Sequence, residues 1–416
     1  MIRLLIVSFT FPPYSGIGGR RWVKFSKYLN KNGVDCRVIA AKKDGLSDSQ
    51  WNNDLQSEIP VLYEKMTYPT ILMTRPDTVF QKIRYRLALI KVKSNYKNQN
   101  FYDYSIGFGK KILPLIKKEI NNGVNNILVT VGPFHMAAEI IELKKYFPHV
   151  NFIVDFRDPW SNNQTSFGFS GLNDESLKYE QDLEKFVLRE YDTVFAVSEE
   201  MKNHFKHLLS AGYEKCVTLP NGFDPHDYNK IHVLEQDLKK TDKIIFSFSG
   251  TLYNKTEIVF TEFVQALDQI RVENIEIYNR LEFNFMGEIP SWFQEITHNH
   301  QIIRYSGIKK FNDAIVDSLN ADYSMLFLTD DLKYSKSTKF YEAIALRKPI
   351  IVFSEPGPTT DFVEKNKIGF GIYKGTIKKR LLELISHELT FNKELDINEY
   401  SIENLTKKII PYLKPN

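Results

Sequence analysis

The stretch FPPYSGIGGRRWVKF, residues 11–25, is the first place along the chain where residue types and spacing can do chemistry. Gly16, Gly18 and Gly19 stand between an apolar run and a helical pattern. Backbone N–H groups can approach an anion there, and a helix start adds a favourable dipole. The spacing is not G-x-G-x-x-G, so a plain strand-to-helix connection is the alternative. In VDFRDPW, residues 154–160, Asp158 can accept a proton or orient a hydroxyl, with Arg157 setting its ionisation and Pro159 and Trp160 forming a rigid wall. A structural Asp–Arg pair or a helix cap is the alternative, and it suits Asp155 better than Asp158. His135, in GPFH, can hydrogen-bond a hydroxyl or carry a proton near neutral pH, although a lone histidine is more often structural.

The second half offers two more groups. Gly250 and Thr251 close an apolar run, and Lys255 follows five residues after the glycine, where an ammonium can meet a diphosphate. In SKSTKFYE, residues 335–342, Ser337 and Thr338 can cap a helix whose open N–H groups face an anion. Lys339 adds charge, and Glu342, about one turn on, can accept bonds from hydroxyls. An ordinary capped surface helix with a salt bridge is the alternative.

These residues need elements to position them. Short, almost wholly apolar runs recur at 2–8, 36–41, 126–132, 151–156, 193–198 and 217–221, and again at 243–250, 283–287, 302–307, 323–328, 349–354 and 369–373. Between them lie helical patterns at 20–31, 174–190, 257–270, 312–320 and 338–345, with a closing one at 401–413. In the 174–190 helix, Leu177, Leu183, Phe186 and Val187 read as the inward face. Runs this apolar suit parallel strands covered on both faces, and their alternation with helices predicts an α/β chain of two doubly wound halves. The motifs then fall at the carboxyl ends of strands, where open α/β sheets bind ligands.

A chain of 416 residues is long enough for two full cores. The predicted division is 1–225, 226–395 and a closing helix at 396–416, with a polar linker from His226 to Asp242. The composition, 43% apolar and 25% charged, is that of a globular protein. No window predicts a membrane-spanning helix, and LLIVSFTF lacks the long core and cleavage site of a signal peptide. Cys36 and Cys216 are far apart and in no metal-ligand spacing, so they read as unpaired thiols in the cytoplasm.

The combination of FPPYSGIGGRRW, DFRDPW, LPNGFD, FSGTLY and STKFYEAIALRKPIIVFSEPGP, in that order over nearly the whole chain, resembles a retaining GT-B glycosyltransferase of family 4. The resemblance implies two Rossmann-like lobes facing a central cleft, with the acceptor on the first and a nucleotide sugar on the second. It implies that Gly18 and Gly19 approach the donor diphosphate, that Lys255 and the Ser337–Lys339 helix start supply positive charge, that Glu342 binds ribose and that His135 contacts the donor sugar. Retention would proceed without a covalent sugar intermediate, with no cofactor and no metal. Two departures stand out. The family's glutamate pair keeps only its second member, Glu342, with Tyr334 at the first position, and Thr251 replaces an arginine while Lys255 is one position off the usual spacing. Arg20, Lys336 or Lys339 are the candidate substitutes.

From Val79 to Lys118, ten basic residues, Lys82, Arg84, Arg86, Lys91 and Lys93 among them, face only Asp103 and Glu119, with Leu87, Leu89, Ile90 and Val92 interleaved. The pattern predicts peripheral docking on anionic lipid at the inner face of the cytoplasmic membrane, each basic residue adding about 1 kcal/mol. A solvated charged face is the alternative, and without a recognised module no nucleic acid partner is expected. Three functional classes remain open: a transferase in surface polysaccharide or glycoconjugate biosynthesis, a sugar-nucleotide 2-epimerase on the same fold, and a silent sugar-nucleotide-binding scaffold.

Overall fold

The computed structural model describes residues 1–13, 17–42, 50–55, 57–162, 169–228, 241–329, 336–386 and 390–415. Over these the chain forms two compact units, Met1–Pro220 with Leu405–Asn416, and Asn221–Asn404. Most of the polar stretch read as a linker lies outside the described residues.

Unit 1 is built on β1 (Ile2–Ser8), β2 (Val34–Lys42), β3 (Val61–Lys65), β4 (Asn126–Val131), β5 (Asn151–Phe156), β6 (Thr193–Ala196) and β7 (Cys216–Thr218). They pair in parallel in the order β3-β2-β1-β4-β5-β6-β7. Every residue of β4 and β5 is buried, as expected of central strands covered on both faces. The edge strand β3 (VLYEK) escaped the sequence reading because an edge strand is only half covered and keeps charged residues. The order of strand addition reverses between β1 and β4, so a crevice opens beyond their carboxyl ends.

Helices α1 (Ile17–Lys31), α2 (Val79–Asn95), α3 (Phe108–Asn121), α4 (His135–Ile140), α5 (Asp174–Glu190) and α6 (Glu199–Leu209) flank this sheet. Trp22, Phe25 and Leu29 of α1 are buried, as their spacing predicts. In α5 the inward face differs from the expected one. Leu177, Leu183 and Phe186 are only half-buried, whereas Glu180 and Glu184 are fully buried beside Val187 and Leu188. Hydrophobic spacing favoured the leucine stripe, because a carboxylate enters a core only where partners await it.

Unit 2 carries β8 (Ile244–Thr251), β9 (Leu281–Glu288), β10 (Ile303–Tyr305), β11 (Tyr323–Phe327), β12 (Ile350–Phe353) and β13 (Gly369–Ile372), in the parallel order β10-β9-β8-β11-β12-β13. Its reversal falls between β8 and β11. Helices α7 (Glu257–Glu273), α8 (Ile275–Arg280), α9 (Trp292–Thr297), α10 (Phe311–Leu319), α11 (Thr338–Ala345), α12 (Pro358–Lys365) and α13 (Ile377–Ile385) cover it. The core is aromatic: Phe260 of α7 meets Phe285 and Phe327 of the sheet with ring centroids 5.6 and 5.5 Å apart.

The chain ends in α14 (Ile402–Ile409) and a tail that belongs to unit 1. Asn151 donates to the Tyr412 carbonyl at 2.8 Å, and Asn126 exchanges hydrogen bonds with the Lys414 backbone at 2.9 and 2.8 Å. Among the described residues no helix is long and apolar enough to cross a membrane.

Candidate functional site

Two clusters form, one at the reversal of each sheet. In unit 1, β5 delivers DFRDPW, and its residues divide by depth. Asp155 is fully buried and accepts hydrogen bonds from Arg21 (2.9 and 3.2 Å), Trp22 Nε1 (2.7 Å) and Thr130 (3.1 Å). Arg21 also donates to the carbonyls of Leu219 and Pro220, at 2.7 and 2.9 Å. Asp155 is thus a structural clamp joining α1, β4 and β5.

Arg157 and Asp158, two and three residues on, are half-buried at the rim. Arg157 donates from Nε to the Val131 carbonyl (3.2 Å) and from Nη2 to the Gly132 carbonyl (2.6 Å), so the guanidinium is held at the end of β4. Its Nη1 lies where a side chain on residue 18 would be. Only glycine at position 18 admits this approach. An Asp158 carboxylate oxygen is 3.1 Å from where a Gly132 Cβ would stand. The structure therefore brings Gly18, Gly132, Arg157 and Asp158 together at the β1/β4 reversal. The open side of Gly19 faces the backbone of Thr10 and Phe11, so what the missing side chains at 18 and 19 admit is protein. Gly16 lies outside the described residues.

Other unit 1 expectations change with depth. Arg20 is not aimed at the rim group: its Nε donates to Asp54 (2.8 Å) and its guanidinium stacks 4.3 Å from the centre of Trp51. Trp160 is not a wall of the site. It is fully buried, stacked on Phe134 with centroids 5.2 Å apart, and donates to Glu180 at 2.8 Å. His135 lies below the rim, 3% exposed, with Nε2 donating to Glu180 at 2.8 Å. Burial alone pulls the imidazole's pKa down, but the hydrogen bond and charge of Glu180, with Asp103 and Glu139, carry it above its ordinary value. Glu180 remains an acceptor, since His135, Asn100 and Trp160 outweigh the burial that pushes it up.

Glu180 and Glu184 are polar groups that sequence reasoning missed, and Asp103, set there against the basic segment, is a third member of the buried cluster. Asp103 accepts from Phe134 N and His135 N, at 2.7 and 3.3 Å, and so caps α4. Glu184, buried and held by Ser161 N and Oγ, is pushed by burial up to about 7. Buried acids leave little trace in a single sequence, because their partners come from other elements.

In unit 2, β8 and α11 meet. The aliphatic stem of Lys339 passes over Gly250, 3.5 Å from where a Cβ would stand, and its Nζ pairs with Glu342 at 2.8 Å. Ser337 caps the helix, its hydroxyl accepting from Phe340 N at 3.3 Å, and Thr338 is the first helical residue. Lys339 and Glu342 line an open pocket with Ser249, Ser324 and Ser247. The buried Ser247 hydroxyl has no hydrogen-bond partner among the described residues. Thr251, exposed, donates to Glu288 at 3.4 Å. Lys255 is exposed on the turn Asn254–Thr256 that follows β8. Tyr334 and Ser335 lie outside the described residues.

Lys82, Arg84, Arg86, Lys91 and Lys93 are all on exposed positions of α2. Cys36 and Cys216 are buried free thiols, pushed by burial to about 12 and about 11. Among the described residues no group of three or more His, Cys, Asp or Glu side chains is placed to hold a metal ion.

A family model described as Glycosyltransferase Family 4 matches residues 18–227. No curated protein matches the sequence. The fold is similar to a glycosyltransferase from Rickettsia africae, at 16% identity and a TM-score of 0.60 over 99% of this chain and 98% of that one. It is similar to a mutant of S. aureus TarM in complex with fondaparinux, alpha-GlcNAc-glycerol and UDP, at 11% identity and a TM-score of 0.60 over 99% of each chain. A UDP-GlcNAc 2-epimerase from Methanocaldococcus jannaschii is also similar, at 13% identity and a TM-score of 0.56 over 99% of each chain. At these identities the likeness establishes the fold, two Rossmann-like halves of the GT-B kind.

Proposed function

The chain belongs to glycosyltransferase family 4, and on that premise we propose that it moves a sugar from a nucleotide-sugar donor to a glycan, lipid-linked or other acceptor with retention of anomeric configuration, in surface polysaccharide or glycoconjugate biosynthesis. The observation that carries this reading is in unit 2. Lys339 crosses Gly250 at the head of a capped helix and meets Glu342 beside an open pocket at the sheet's reversal. A capped helix start and an ammonium favour a diphosphate, and a carboxylate one turn on suits the hydroxyls of a ribose.

In unit 1, Arg157 and Asp158 supply the complementary pair of a cation and a carboxylate. The bond from the sugar's anomeric carbon to the diphosphate oxygen breaks as the acceptor oxygen bonds to that carbon on the same face. The acceptor's proton leaves toward the departing phosphate, with Asp158 orienting the hydroxyl. Charge growing on the leaving diphosphate is met by Lys339 and the α11 amides, which are fixed in advance of the reaction.

Calorimetric titration with UDP, GDP, ADP, TDP and CMP tests the nucleotide site. We expect one base to stand out, and Lys339→Ala and Glu342→Ala to weaken its binding about tenfold or more. Unchanged affinity in both variants refutes the assignment. Asp158→Asn is expected to lower turnover by about a hundredfold with nucleotide affinity retained. Nucleotide release that requires an acceptor supports transfer, interconversion of the donor sugar without acceptor supports epimerisation, and binding without turnover supports a scaffold.

A further inference from the structure

Helix α2 is built the wrong way round for a helix that faces only water. Its N-terminus is closed by a capping box of Thr78 and Gln81, and its one buried residue, Val92, packs with Tyr68 and Ile106. At about 100° of rotation per residue, Val79, Ile90, Ile83, Leu87 and Phe80 fall on one arc of about 100°, with Ser94 as its polar member. Each of the five is exposed, at 74%, 64%, 52%, 63% and 68% respectively. Single exposed apolar residues are ordinary, but a continuous apolar face turned outward marks a surface that another phase covers.

The cations are arranged around that face. Lys91 and Arg84 border the apolar arc on one side, and Arg86, Lys93 and Lys82 border it on the other. No acidic residue occurs in the helix. The acids that the sequence reading set against this segment are engaged elsewhere: Asp103 is buried as the α4 cap, and Glu119 pairs with Arg37 at 3.0 Å. The opposite arc, which includes Leu89 and Val92, turns to the protein, so these two do not belong to the outward face.

We propose that α2 lies in the plane of an anionic phospholipid bilayer, with Phe80, Ile83, Leu87 and Ile90 inserted among the acyl chains. Lys82, Arg84, Arg86, Lys91 and Lys93 meet the headgroup phosphates on both flanks, their aliphatic stems lying along the apolar arc. Charge selects this occupant. A second copy of the chain meeting the first through α2 sets five cations against five, whereas an anionic lipid surface neutralises them. The proposal stands independently of the nucleotide-site reading.

The test is co-sedimentation of the full chain with vesicles of phosphatidylcholine and phosphatidylglycerol at seven to three, against pure phosphatidylcholine. The wild-type protein is expected to partition at least tenfold more strongly into the anionic vesicles. The double variant Ile83→Ser/Leu87→Ser is expected to lose about tenfold or more. Lys82→Gln/Arg86→Gln is expected to lose about fivefold per charge on anionic vesicles. Val272→Ser, at a position 84% exposed in unit 2, is expected to bind as wild type. Phe80→Trp is expected to show a blue-shifted emission that brominated lipid quenches, which docking by charge alone would not produce. The proposal is overturned if the wild-type chain ignores anionic vesicles, if the α2 variants bind as it does, if the tryptophan stays in water, or if sedimentation velocity finds a dimer that Ile83→Ser/Leu87→Ser abolishes in a protein that does not bind vesicles.

Discussion

Arg157 is the residue on which the unit 1 cluster turns. Two carbonyls hold its guanidinium, and the bare face of Gly18 makes room for it. A Gly18→Ala methyl would meet the far end of a long side chain, which can move away cheaply. The expected result is a loss of turnover of about tenfold or more with a melting temperature within about 2 °C of wild type, read by activity and calorimetry together. Deeper in the same unit, Glu184 sets a pH dependence. Its folded pKa of about 7 lies above the ordinary 4.5 because burial disfavours the charge. The folded state therefore holds this proton more tightly than the unfolded chain. The stability that results is fully present below about 4.5 and is lost as pH rises through about 7. His135, also raised, contributes with the same sign: its share is present below 6.5 and lost as pH climbs through its folded value. Urea denaturation at pH 5, 6, 7 and 8 is expected to show stability falling with pH, and Glu184→Gln to flatten the fall between pH 5 and 7. An equally steep profile in that variant would place the titrating group elsewhere.

The elements explain why those residues stand where they do. Each cluster lies at the reversal of a parallel sheet, where two strand ends and the helices after them open a crevice. In unit 2 the exit of β8 depends on its neighbour β9: Gly250 pairs with Gly287, whose φ is +115°. A Cβ at residue 287 would run into the Gly250 backbone, which cannot swing away as a side chain can. Gly287→Ala is therefore expected to cost about 2 kcal/mol or more of stability and to weaken nucleotide binding, because it moves the strand end over which Lys339 lies. Denaturation and calorimetric titration on one preparation check both halves of this expectation. The contrast with Gly18→Ala is instructive: a methyl against a side chain spares the fold, and a methyl against backbone does not. Helix α5 carries a similar lesson for reading sequences. Its length and ends were legible as Asp174–Glu190, but its inward face was not, because Glu180 and Glu184 are buried only by virtue of His135, Trp160 and Ser161.

At the scale of the molecule, two units share one chain and unit 1 is completed by the last residues. Leu405 and Ile409 are fully buried, and Asn126 and Asn151, which also bond to each other, hydrogen-bond the backbone of Tyr412 and Lys414. Deleting residues 405–416 uncovers that apolar surface and removes the tail's hydrogen bonds to these buried amides, each worth about 1 kcal/mol. The expected outcome is a loss of several kcal/mol that falls on unit 1. Hydrogen exchange would show it as faster exchange in β4 and β5, with β8 and β11 protected as before. The sequence by itself determined the alternation of strands and helices, the two doubly wound halves and the strand ends at which the motifs fall. Apolar runs and helical spacing are local, and parallel sheets bury their strands too completely to disguise them. Only the tertiary structure decided which polar residues work as a group. Asp155 and Asp158 stand three apart, yet one clamps a core and the other faces a crevice. Lys339 meets Gly250 across about ninety positions of sequence, and the outward face of α2 differs from its inward face only through what packs beneath it. Burial and pairing are properties of neighbours in space, and a lone chain of letters does not say who those neighbours are.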